Sequence, residues 1–178
     1  SVQSDARMAA EAAYLGKPPP APSRSALSAA LVGDRAPVAE VLREARVLDQ
    51  EEPDAQRRWT VERLVQFQSD GYRLSDSDAA RLLVALEAKP TRDALWADMS
   101  AHNIASHIDL WTDMTRRAPD EVRTPAASLL AFAHWLEGDG AKGWVALDQI
   151  PDGSSYTMAG LTATVLGSGI HPGLWEHT

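Results

Sequence analysis

The stretch from Thr124 to Ile150, TPAASLLAFAHWLEGDGAKGWVALDQI, constrains this chain most, because it holds the longest apolar run and folds back on itself at a glycine turn. Leu129, Phe132, Ala133 and Leu136 recur at the i, i+3, i+4, i+7 spacing of one helix face, and Leu130 and Trp135 widen that face. A helix apolar around most of its circumference has to be covered on several sides, which places it at the centre of the molecule. Thr124 is expected to cap this helix, with Pro125 at the first helical position, where a missing N–H costs nothing. Gly138-Asp139-Gly140 ends it, since glycine takes the left-handed conformation of a helix C-terminus without steric cost. Ala141 to Ile150 is the return helix, with Trp144 and Leu147 facing back and Pro151 as its stop.

The preceding chain is punctuated in the same way. Asp5 to Leu15 is alanine-rich and ends at Gly16, and the prolines that follow within residues 17–22 must be extended, which makes them a spacer. Helices are expected over Arg24 to Leu31 and over Pro37 to Gln50, the second with Val38, Val41, Leu42, Ala45 and Leu48 inward. Glu51, Glu52 and Asp54 around Pro53 suit the start of another helix, running to about Ser69 with Val61, Leu64 and Val65 inward and broken by Asp70-Gly71. Ser75 and Asp78 form a capping box before Ala79, Leu82, Leu83 and Leu86, and Pro90 closes that segment. Leu95-Trp96-Ala97-Asp98-Met99 and Leu110-Trp111-Thr112-Asp113-Met114 read as two similar core faces. Ser106 with Asp109 is a further expected cap. Ser154 or Ser155 is expected to start a last helix with Met158, Leu161, Thr162 and Val165 on one face. The tail carries Trp175, which is expected to pack on the hairpin. No alternation persists long enough for a strand, so the fold class is all-α, a helical bundle of about eight to ten helices.

The 178 residues, 44% of them hydrophobic, support one helical domain, with N-terminal helices over 1–90 and a tryptophan-rich half over 91–178. The absence of cysteine rules out disulfides and thiolate metal sites, and fits a reducing cytoplasm. No run approaches the roughly 20 apolar residues of a membrane span. Residues 1–5 are polar and do not form a signal peptide. A formal charge of −8 repels phosphate backbones and anionic lipid, so neither nucleic acid nor membrane is an expected partner. The chain also lacks an initiator methionine and is read as a piece of a longer protein.

Candidate chemistry is sparse. Asp98, His102, His107 and Asp109 gather near a helix junction, but their spacing fits no metal-ligand pattern, and capping with exposure to water is the reading preferred. His134, within an apolar helix, is expected to be a hydrogen-bonded neutral ring. No nucleophile elbow, phosphate loop or zinc-protease motif occurs, so no catalytic residue, cofactor or metal is assigned. Five of the six tryptophans fall in the second half, and indoles are typical both of cores and of interface hot spots. Trp111, Trp135, Trp144 and Trp175, with Arg116 and Arg117 beside them, are the candidate partner-binding residues.

Several of these residues recur together in a known family. LWTDMTRRAP, LLAFAHWLEGDGA, VALDQI, Tyr156, Met158-Ala159 and the closing Gly169, Pro172 and Trp175 resemble, in that order, the C-terminal half of an actinobacterial family of uncharacterised proteins, domain-of-unknown-function family 4192. The likeness covers Leu110 to Trp175 and thins before it. It implies an α/β half ahead of this helical half in intact members, and it brings no reaction with it. The hairpin is also similar to a tetratricopeptide unit, with Leu130, Ala131, Gly138, Asp139, Gly143 and Leu147 in suitable places and His134, Ile150 and Pro151 departing from the pattern. The functional expectation is a helical interaction or scaffolding domain, whose partner is its own N-terminal half, a second copy or another protein. The alternative is half of an enzyme or ligand sensor whose site needs the other half.

Overall fold

The computed structural model describes residues 2–14, 22–152, 157–169 and 171–175, which form ten α-helices, a closing 3₁₀ turn and, among the described residues, no strand. The helices are α1 (Val2–Tyr14), α2 (Arg24–Ala29), α3 (Ala36–Glu51), α4 (Pro53–Asp70), α5 (Asp76–Ala85), α6 (Lys89–Asp98), α7 (Ile104–Arg117), α8 (Asp120–Leu136), α9 (Gly140–Leu147) and α10 (Thr157–Ser168), followed by the turn Pro172–Trp175. The proline spacer, apart from Pro22, and Ser154, Ser155 and Tyr156 lie outside the described residues.

Helix α8 lies at the centre, as its all-round apolar sequence requires. Every residue from Pro125 to Trp135 is buried, and α5, α7, α9 and α10 pack around it. One continuous core runs from Leu31 to Ala146 and crosses the boundary between the 1–90 and 91–178 halves without interruption. The start of α8 differs from expectation. It begins at Asp120, with Pro119 as its N-cap, and Pro125 sits inside the helix. Asp120 and Glu121 suit the positive end of the helix dipole, so the first turn forms ahead of Thr124, and Pro125 falls in the second turn, where it donates no N–H to the helix. Arg123, buried in the first turn, braces it by donating from Nε to the Ala118 carbonyl at 3.1 Å and from Nη1 to that of Gln149 at 3.3 Å.

Local signals account for most other boundaries. Ser75 accepts from the Asp78 backbone N–H at 3.1 Å, Gly71 ends α4 at φ 68°, and Gly138 ends α8 at φ 87°. Asp139 then caps α9 through the Lys142 N–H at 3.0 Å. Three boundaries shift. Helix α9 ends at Leu147, three residues short of the expected end at Ile150, so Pro151 is not its stop. Pro90 opens α6, whose first turn it occupies, where the expectation had it closing α5. Ser106 bonds back to the Asn103 carbonyl within a helix that has already begun at Ile104.

The inward faces needed more correction. In α4 the buried strip is Gln56, Thr60, Leu64 and Phe67, while Val61 and Val65 are 40% and 57% exposed. Leu48, Trp144 and Leu161 are exposed as well, and α9 turns Gly143, Val145 and Ala146 inward. In each case the neighbouring helices cover one arc of the helix and leave another, which also carries apolar residues, exposed. The α8–α9–α10 contact is close because residue 143 is glycine: a Cβ there would stand 2.9 Å from Leu166 Cδ2 and 3.2 Å from the Ala131 carbonyl oxygen. Gly143→Ala is expected to lower the unfolding free energy by about 1–3 kcal/mol through overpacking. Gly160→Ala, in α10 with open space around it, should raise it by about 0.4–1 kcal/mol. Urea midpoints that move in the same direction for both variants would contradict this packing.

Candidate interaction surface

The structure scatters the residues expected to bind a partner. Trp111 is fully buried. Arg117 is buried and saturated, bonding the Leu74 carbonyl and Asp113 through Nη1 and Asp76 through Nη2. Trp135 is buried against Phe132, with ring centroids 5.1 Å apart. Arg116 is half-buried and donates to the Ala30 carbonyl, while its own carbonyl accepts from Gly33. Of this set Trp144 is the well-exposed side chain at 38%, and the Trp175 side chain lies outside the described residues.

The junction between α6 and α7 brings together half of the Asp98, His102, His107, Asp109 group. The Trp111 indole, which can only donate, gives its N–H to His107 Nδ1 at 3.1 Å, so the ring proton of His107 sits on Nε2 and is donated to Asp98 Oδ2 at 2.8 Å. Asn103 Nδ2 and Gln68 Nε2 donate to the same carboxylate oxygen, at 3.1 and 2.9 Å. His102 and Asp109 are exposed and take no part. Both nitrogens of His107 are committed, so the ring neither abstracts a proton nor ligates an ion. Among the described residues no group of three acidic or histidine side chains is placed to hold a metal. The His107–Trp111 contact was legible as an i, i+4 pair on one helix; Asp98 joins it only because the chain turns at Asn103.

His134 bonds Glu137 through Nδ1 at 2.9 Å, beside a cleft of about 450 Å³ lined by Leu136, Glu137, His171 and Pro172 among others. The described lining of that cleft carries Glu137 and His171 as ionisable side chains, among small and apolar residues.

A second concavity was not foreseen. Arg57, Arg58, Val61 and Glu62 of α4 and Pro90 and Ala94 of α6 line an open groove of about 440 Å³. Residues 57–62 lie against 90–94, and Gln68 reaches Asp98, so the two helices run parallel and side by side. Each presents an outward stripe at helical spacing: Val61 and Val65 on α4, and Pro90, Ala94 and Ala97 on α6. Arg57 and Arg58, both exposed, form no hydrogen bond or ion pair among the described residues, and Lys89 beside Pro90 likewise forms none. Val61 and Val65 were expected inward with Leu64, whereas the 56, 60, 64, 67 spacing marks the strip that α4 buries.

Burial pushes the His107 imidazole below the ordinary histidine range, and the hydrogen bond and charge of Asp98 offset part of that shift. The unfolded chain takes up this proton as pH falls through about 6.5 while the folded chain does not, so the stability contribution is complete above that value and is lost as pH falls toward the folded one. The melting temperature should therefore drop between about pH 7 and pH 5 more steeply for the native chain than for His107→Gln. Parallel pH profiles would refute this. Trp111→Ala, which empties a fully buried indole site and orphans His107 Nδ1, should cost about 3–5 kcal/mol in chemical denaturation, and a loss below about 1 kcal/mol would contradict its placement.

Among the described residues no helix is long and apolar enough to cross a membrane. No curated protein matches the chain. No solved structure matches it either. The family model described as Domain of unknown function (DUF4192) matches residues 2–173, starting far ahead of Leu110, where the resemblance began, and the chain belongs to that family.

Proposed function

We propose that this chain is a helical protein-interaction domain and that the groove between α4 and α6 is the surface it uses. The observation that carries the reading is the pair of apolar stripes, Val61 with Val65 and Pro90 with Ala94 and Ala97, lying side by side with no other element of the described residues over them and with Arg57, Arg58 and Glu62 at the rim. Isolated exposed apolar residues are ordinary, but contiguous stripes rimmed by charge are typical of docking surfaces. Small-molecule sites enclose most of their ligand, and this groove is open along its length, which favours a polypeptide occupant. Helix-in-groove recognition uses such a surface, with the small side chains of one wall allowing a close approach.

The chain has no cysteine, so a single one introduced by Ala94→Cys, Val65→Cys or Leu161→Cys carries a photo-crosslinker at one defined place. Leu161, 51% exposed on α10, serves as the control. Protein crosslinks formed at 94 and 65 and weak or absent at 161 are expected. Equal yields at the three positions, or yields confined to 161, would remove the groove from consideration.

A further inference from the structure

We infer that α6 is an acid-released flap, held against α4 and α7 by the hydrogen-bond relay from Trp111 through His107 to Asp98 and set free when a proton enters His107 Nδ1. The relay has one polarity. Trp111 Nε1 can only donate, so Nδ1 accepts at 3.1 Å and Nε2 carries the proton given to Asp98 Oδ2 at 2.8 Å. A second proton on the ring would set two N–H groups against each other, between a histidine and an indole that are both fully buried. The closed junction therefore excludes the imidazolium, whereas a ring freed by opening takes up the proton at the ordinary value of about 6.5. Burial pushes the closed ring below that value, and Asp98 offsets part of the shift. Gln68, which reaches the junction from α4, is neutral, and His102 and Asp109 face water. On the helices packed against α7, Arg63 of α4 faces Asp78 of α5, Arg46 of α3 faces Glu87, Arg123 of α8 faces Asp120 and His134 of α8 faces Glu137. Among the described residues, Asp98 is thus the charge that acts on the ring.

Helix α6 is the element placed to move. Among the described residues it packs chiefly on α4, whereas α7 is held by α3, α4, α5 and α8. Its first turn has no side-chain cap, and its other end is tied through Asp98, which accepts from His107, Gln68 and Asn103. Beneath Leu95, narrow gaps of about 180 Å³ separate α6 from Leu64, Leu82 and Leu110, and Arg63 Nη1 is buried beside them without an acceptor among the described residues. Gaps of this kind forfeit dispersion contacts, so the seat of α6 is weaker than the closed packing around α8. Segments with fewer packed contacts open without the rest of the molecule, and loss of the relay at Asp98 removes the tie that holds this one. The release does not depend on what the α4–α6 groove binds, but it takes away one wall of that groove.

The test is amide hydrogen exchange of the full chain, followed by NMR between about pH 7 and pH 5 and corrected for the intrinsic pH dependence of exchange. Protection of Asp93 to Met99 in and just after α6 is compared with that of Leu129 to Ala133 in α8. In the native chain the α6 protection should fall relative to α8, with a slope approaching tenfold per pH unit below about 6.5, because each unit raises proton uptake by the open form tenfold. In His107→Gln the amide oxygen accepts from Trp111 and the NH₂ donates to Asp98, so both bonds are kept without a titrating group and the α6 slope should vanish. Trp111→Phe removes the N–H that opposes a proton on Nδ1. It should flatten the slope as well, and it carries the comparison if the glutamine variant does not fold. Protection lost from α8 in step with α6 in the native chain would mean global unfolding and overturn the inference. Equal α6 slopes in the native chain and in either variant overturn it too.

Discussion

The structure depends on the enclosure of α8 from all sides. A helix buried from Pro125 to Trp135 has no face to give to water, so every neighbour is placed by the need to cover it. Its composition makes this feasible: Ala126, Ala127, Ala131 and Ala133 let adjacent helices come close, and Gly143 on α9 has no Cβ to strike the Ala131 carbonyl. Enclosure also compels the polar groups it carries to find partners. Ser128 donates to the Thr124 carbonyl at 2.8 Å, and Arg123 ties the α7–α8 corner to the end of α9 through the carbonyls of Ala118 and Gln149. Those bonds replace hydration that burial removes, so their main effect is to specify one arrangement of the corner.

The elements far from α8 are freer. Helix α4 does not contribute a broad face to the core. It buries one strip, two of whose four members are polar, and Gln56 and Thr60 are satisfied by Arg81 on α5 and by the helix's own backbone. The rest of α4 faces outward, which is how valines and arginines come to share an open surface. What keeps that surface in shape is the buried chain from Trp111 through His107 to Asp98, because the same carboxylate that accepts from α7 also accepts from Gln68 on α4 and sits at the end of α6. Three helices are thereby held in register at one end of the groove. His107, expected from the sequence to cap a helix and face water, is instead a buried positioning element, and its fixed tautomer follows from an indole that can only donate.

The likeness of Leu95-Trp96-Ala97-Asp98-Met99 to Leu110-Trp111-Thr112-Asp113-Met114 shows how far local pattern carries. In both, the leucine and methionine are buried, as two similar core faces require. Yet Met99 lies just past the end of α6 while Met114 is inside α7, and Trp96 is partly exposed, edge-on to Phe132, while Trp111 is sealed. The same five-residue spelling therefore has two tertiary meanings. The tryptophans as a group behave in this way: Trp111 and Trp135 are inside and Trp144 is half out, and nothing in their spacing separates them.

Helix content, most of the helix ends and the central place of α8 were determined by the sequence alone, because they rest on short-range effects: glycine accepting positive φ at 71 and 138, serine and aspartate capping at 75 and 139, prolines in the first turns of α3, α4 and α6, and an apolar circumference that admits only burial. Which arc of α4 faces inward, which indoles reach water, and whether Asp98 meets His107 were decided by the tertiary structure. Each of these turns on a neighbour distant in sequence that covers one face and leaves another bare, and the free energy of burial depends on that cover, not on the spacing of the residues that receive it.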